Sequence, residues 1–145
     1  MRCMKKTVLT LIVLLFLLTT QSLLAGEKKT IFYNITSDDT WAAGMALGQA
    51  NKALDSGYKV VIFLNVRGVY LASKSFNSDI AIASSMSLQD MLKGAMKKGA
   101  TAIICPRCMK KAGITQDDLI EGIVKGGPDV TLKAMTADDT VVISY

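Results

Sequence analysis

The chain has 145 residues, half of them hydrophobic, with a formal net charge of +5, three cysteines and no histidine. That length suits a single domain with one core. The absence of histidine excludes Cys–His and Ser–His catalysis, histidine metal ligands and histidine proton shuttles.

The front of the chain predicts a targeting segment. A basic start, Met1-Arg2-Cys3-Met4-Lys5-Lys6, leads into the apolar run Val8 to Leu18, then polar Thr19-Thr20-Gln21-Ser22 and Leu23-Leu24-Ala25. This is the pattern of a secretory signal peptide cut after Ala25. The alternative is an uncleaved anchor, because Thr7 to Ala25 is 19 residues long and just crosses a bilayer. Either way the expectation is an exported, periplasmic or otherwise extracytoplasmic protein, attached to a membrane only through that segment if it is kept. Residues 1–25 carry Arg2, Lys5 and Lys6, and losing those three lowers the net charge to +2. The basic balance is therefore no argument for nucleic acid. Residues 26–145 keep only Cys105 and Cys108.

From there the elements alternate. Ile31 to Thr36, β-branched and aromatic, reads as a first strand. Ser37-Asp38-Asp39-Thr40 offers helix caps, and Trp41 to Ser56 reads as a helix with Ala42, Met45, Ala46, Gln49, Ala53 and Leu54 near its buried stripe. Lys59 to Leu64 is a near-continuous apolar run, as in strands covered on both faces. Val66 to Ser85 is a long excursion with a short helix near Val69–Ala72; it is expected to bring Tyr70, Leu71 and Phe76 to the same sheet edge as the cysteines. Ser87 with Asp90 starts a helix whose buried stripe is Leu88, Met91, Leu92, Ala95 and Met96. Thr101 to Cys105 is the third strand. Thr115-Gln116-Asp117-Asp118 caps a short helix through Ile123, another lies within Thr131–Ala137, and Thr140 to Ser144 is a closing strand. Strands alternating with helices predict one α/β domain with a mostly parallel sheet. Gly126-Gly127 lacks a following Lys-Ser or Lys-Thr, and Gly44 and Gly48 sit inside a helix pattern, so neither a phosphate loop nor a dinucleotide fingerprint is supported.

The chemistry is concentrated in Cys105-Pro106-Arg107-Cys108-Met109-Lys110-Lys111-Ala112-Gly113. Pro106 suits a first helical position and Gly113 a helix stop. Cys105 therefore sits between the carboxyl end of a strand and the amino end of a helix, the edge of an open α/β sheet where ligands collect. The helix end and the nearby Arg107, Lys110 and Lys111 favour thiolate, making Cys105 the candidate nucleophile and Cys108 the thiol that resolves or tunes it. Four readings stay open: a structural disulfide, a dithiol–disulfide redox pair, a sulfur carrier, and a metal half-site shared between subunits. Two soft ligands fall short of an intramolecular zinc site, so no metal is assigned.

A strand, a cysteine, and a glycine eight positions later followed by an aliphatic residue resemble the DsrE/DsrF-like family of sulfur-relay proteins. Ile103-Ile104-Cys105, Cys108 and Gly113-Ile114 carry the resemblance. It implies a flavodoxin-like domain over residues 26–145 and assembly as a homotrimer or hexamer; no cofactor is expected. It also implies that Cys105 accepts and donates sulfane sulfur, with a sulfur-donor or acceptor protein, or a small sulfur compound, as partner. Cys108 is then its companion, and Arg107, Lys110 and Gly113 are supporting residues.

Overall fold

The computed structural model describes residues 29–76 and 86–145. The predicted targeting segment and the far part of the Val66–Ser85 excursion lie outside the described residues. Five strands form one sheet: β1 (Thr30–Ile35), β2 (Lys59–Leu64), β3 (Thr101–Ile104), β4 (Val124–Lys125) and β5 (Thr140–Ser144). Their order is β4-β3-β2-β1-β5 and every pairing is parallel. The helices are α1 (Thr40–Asp55), α2 (Leu88–Lys97), α3 (Pro106–Ala112) and the single turn α4 (Lys133–Met135). This is the flavodoxin-like α/β arrangement, with helices flanking a parallel sheet.

The apolar runs become strands because both faces of the sheet are covered. Tyr33, Ile35, Val60, Ile62, Leu64, Ala102 and Ile104 join the core that lies under α1 and α2. On the opposite face Phe32 and Ile103 are also buried, and Phe32 packs on Phe63 with ring centroids 6.0 Å apart. Asp39 caps α1, its carboxylate accepting the Trp41 and Ala42 N–H groups at 3.0 Å. The buried stripe of α1 is Ala43, Ala46, Leu47, Ala50 and Ala53, rotated from the predicted one, so that Met45 and Gln49 face outward. This helix is apolar nearly all round, and Leu47, its largest fully buried side chain, sets the rotation. α2 follows its prediction: Ser87 Oγ accepts the Asp90 N–H at 3.1 Å, and Leu88, Met91, Leu92 and Ala95 are buried. Asn51 Nδ2 ties the two helices by donating to the Met91 carbonyl at 3.0 Å.

The segment after α3 departs from the predicted helix. Its cap forms, with the Thr115 N–H donating to Asp118 Oδ2 at 2.8 Å, but no helix follows. Instead Leu119 and Ile120 turn inward; Leu119 bridges Ser73, and the Ile120 N–H donates to the Ala72 carbonyl at 2.9 Å. The core claims those two side chains at the expense of the helix. Val124–Lys125 then pairs with β3 as an edge strand that the sequence pattern does not announce.

Candidate functional site

The site lies at the carboxyl ends of β1, β2 and β3. Val66–Ala72, a 3₁₀ helix, follows β2 and crosses above the end of β1, where Gly68 passes so close that a Cβ would stand 2.3 Å from the Ile35 carbonyl oxygen. Only glycine fits there. β3 delivers Cys105, whose N–H donates to the Leu64 carbonyl at 2.9 Å. Pro106 opens α3, buried Met109 anchors it, and Gly113 ends it at φ 70°. Cys105 is the capping residue: its Sγ accepts the Cys108 N–H at 3.2 Å. Both cysteines are half-buried free thiols.

Burial pushes the Cys108 thiol pKa up, and so does its hydrogen bond to Cys105; the Val66 backbone amide and the Arg107 charge pull the other way. Cys108 therefore holds its proton more tightly than an ordinary thiol.

Val66 has φ 47°, in the left-handed region that β-branched residues avoid. This strained residue turns its amide toward Cys108. Beside it Arg67 makes a two-pronged ion pair with Asp38, at 2.8 Å from Nε and 2.7 Å from the second nitrogen, and lies 5.4 Å over the Tyr70 ring. Asp38 holds the Arg67 guanidinium pKa above its usual value, first through the hydrogen bond and then through charge. Val66, Arg67, Tyr70, Arg107, Cys108 and Lys111 line a cavity of about 440 Å³.

Of the residues singled out in the sequence, Cys105, Cys108 and Arg107 come together here. Lys110 and Gly113 do not: they line a separate depression on the other side of α3, with Thr115 and Lys125. Tyr70 reaches the site as expected, whereas Leu71 is fully buried and Phe76 packs against the core. Val66, Arg67 and Asp38 join the site without having been singled out by the sequence pattern. An Asp after the first strand and an Arg after the second, on neighbouring parallel strands, is the signal that could have paired the last two. Among the described residues no three of His, Cys, Asp and Glu gather in a way that could hold a metal ion.

The sequence model of the DsrE/DsrF-like family matches residues 28–143. The chain belongs to the DsrE/DsrF-like family. Its relatives include "Uncharacterized protein MJ0989" of Methanocaldococcus jannaschii, 39% identical over 77 residues, covering 53% of this chain and 64% of that protein. A second, "Uncharacterized protein MK0008" of Methanopyrus kandleri, is 35% identical over 78 residues, covering 54% of this chain and 61% of that protein. The chain thus matches less than two-thirds of the length of either relative. Two solved structures share the fold. The protein of unknown function MTH1491 from Methanobacterium thermoautotrophicum aligns with a TM-score of 0.66 at 12% identity, over 81% of this chain and 100% of that one. The ychN protein from E. coli aligns with a TM-score of 0.64 at 17% identity, over 80% of this chain and 99% of that one. In this DsrE/DsrF-like chain the cysteine that the resemblance singled out, Cys105, stands at the carboxyl edge of the sheet.

Proposed function

We propose that this DsrE/DsrF-like protein is a sulfur carrier that holds sulfane sulfur as a persulfide on Cys105. The observation that supports the reading is the placing of Cys105 between the end of β3 and the start of α3, where its Sγ accepts the Cys108 N–H at 3.2 Å beside a Cys108 thiol whose pKa burial raises. In the loading step the Cys105 thiolate attacks the outer sulfur of a donor R–S–SH. The donor S–S bond breaks, the Cys105 S–S bond forms, and the thiol RSH leaves with the proton. An acceptor thiolate reverses the exchange, so no net oxidation occurs. A Cys108 thiolate would instead attack the inner sulfur, releasing sulfide and leaving a disulfide. The raised Cys108 pKa works against that loss.

Intact-mass analysis after exposure to hydropolysulfide tests the reading. Wild type is expected to gain sulfur, mapped to Cys105 and retained in Cys108→Ser, and Cys105→Ser should pass none to a small acceptor thiol. If no sulfur adds and only a Cys105–Cys108 disulfide forms and reduces reversibly, a thiol–disulfide redox role replaces it. The proposal extends to a homotrimer or hexamer, supported by Trp41, 67% exposed, and by the outward Met45, Val141 and Val142. A concentration-independent monomer in light scattering would sink that part. It extends also to export, supported by the pattern of residues 1–25; amino-terminal sequencing from a secreting host should find the chain starting at Gly26, and an intact start in the cytoplasm would overturn it.

A further inference from the structure

We infer that the cavity between the Val66–Ala72 turn and α3 binds an organic sulfonyl anion, the body of a thiosulfonate sulfur donor, through Arg107 and Lys111. The inference rests on the carrier reading of Cys105. A volume of about 440 Å³ suits a small molecule. Three cations reach this cavity, and they are not equivalent. The charge of Arg67 is engaged by Asp38. Arg107 and Lys111 have no carboxylate within ion-pair distance among the described residues. Two solvent-exposed cations, unpaired among the described residues, beside a wall made of Tyr70, Val66 and the Cys108 side chain suit a ligand that is anionic at one end and apolar at the other. The anionic end pairs with these cations, and the apolar end covers the Tyr70 wall, which a purely inorganic anion would leave bare.

The cavity also stands in the right place for transfer. Cys108 is part of its wall and is hydrogen-bonded to Cys105, so a donor seated there presents its terminal sulfur to the thiol pair. For a donor R–SO₂–S⁻, the Cys105 thiolate attacks that terminal sulfur. The bond between it and the sulfonyl sulfur breaks, and R–SO₂⁻ leaves with the electron pair. The Cys105 S–S⁻ bond forms, so charge and sulfur balance without another reactant. Arg107 and Lys111 stabilise the sulfinate as its charge develops.

Loading rates followed by intact mass, with benzenethiosulfonate, thiosulfate and hydropolysulfide as donors, test the site. In Arg107→Gln/Lys111→Gln, loading from benzenethiosulfonate should fall by about tenfold, the scale of removing one charge-assisted hydrogen bond. Loading from hydropolysulfide should change by less than about threefold, as for screened surface charge, and Lys110→Gln, across α3, should change neither. Equal slowing with both donors would mean that the cations act through the thiol, and overturns the site, as does no slowing. Thiosulfate taken up as fast as benzenethiosulfonate overturns the organic assignment. Uptake from no donor overturns the carrier reading, and the binding of benzenesulfinate, followed by Tyr70 ring resonances, then decides the site alone. Binding weakened about tenfold in the double variant supports it; no binding to wild type overturns it.

Discussion

The two shoulders of α3 are built from similar parts and differ in tension. On one side the Val66–Ala72 turn presses on the end of β1, with Gly68 forced against the Ile35 carbonyl and Val66 held at φ 47°. On the other, Gly126 passes the end of β3, where a Cβ would stand 2.8 Å from both the Ile104 carbonyl oxygen and Thr131 Oγ1. Each shoulder thus uses one glycine to lay a loop across the last carbonyl of a strand. Only the first carries backbone strain as well, and only the first faces a thiol. Strained backbone next to reactive groups is where a fold holds an atom in a position it would not otherwise take. Here that atom is the Val66 amide nitrogen.

The comparison can be broken by substitution. Gly68→Ala should cost the most, about 3 kcal/mol in urea unfolding, because its Cβ meets backbone that cannot yield. A cost below that of Gly126→Ala would mean that the first shoulder is the looser one. Gly126→Ala should cost about 2 kcal/mol, since Thr131 Oγ1 can swing away but the Ile104 carbonyl cannot. Gly113→Ala should cost about 1 kcal/mol, from the left-handed φ alone, as nothing lies within 4 Å of its Cβ. The smallest effect is electrostatic. With its pKa raised in the folded state, Cys108 adds stability that is fully present below the unfolded thiol pKa and is lost as pH rises through the folded value. Unfolding curves across the alkaline range should show that loss in wild type and not in Cys108→Ser, and thiolate absorbance should place the Cys108 transition above that of free cysteine.

The regular half of the molecule was readable because each strand there is an apolar run between clear caps, and β1, β2, β3 and β5 fall within a residue of their predicted bounds. The stretch from Gly113 to Ala137 was not, since its local signals compete with the core. Thr115 and Asp118 make the predicted cap, yet Ile120 bonds to Ala72 and Lys74 to the Asp118 carbonyl, so long-range contacts outweigh a cap with only a short helix behind it. β4, two residues long, is too short for any periodicity. In the site, Cys105 was legible from its strand and proline. Val66 was not, because a β-branched residue is the last one expected at positive φ.

The edge of the sheet carries one more consequence. Asn34 on β1 reaches Ser144 on β5 across 110 positions of chain, and the Thr36 N–H and hydroxyl both donate to the Tyr145 carbonyl, at 2.8 and 2.7 Å. Among the five described strands, β1 is therefore flanked by the one farthest from it in the chain. Until Thr140–Ser144 emerges, β1 has an open side and the loop carrying Asp38 lacks its brace. Closing so long a loop is slow compared with forming the helices. Until β5 pairs with it, that side of β1 is a bare edge able to pair with other chains.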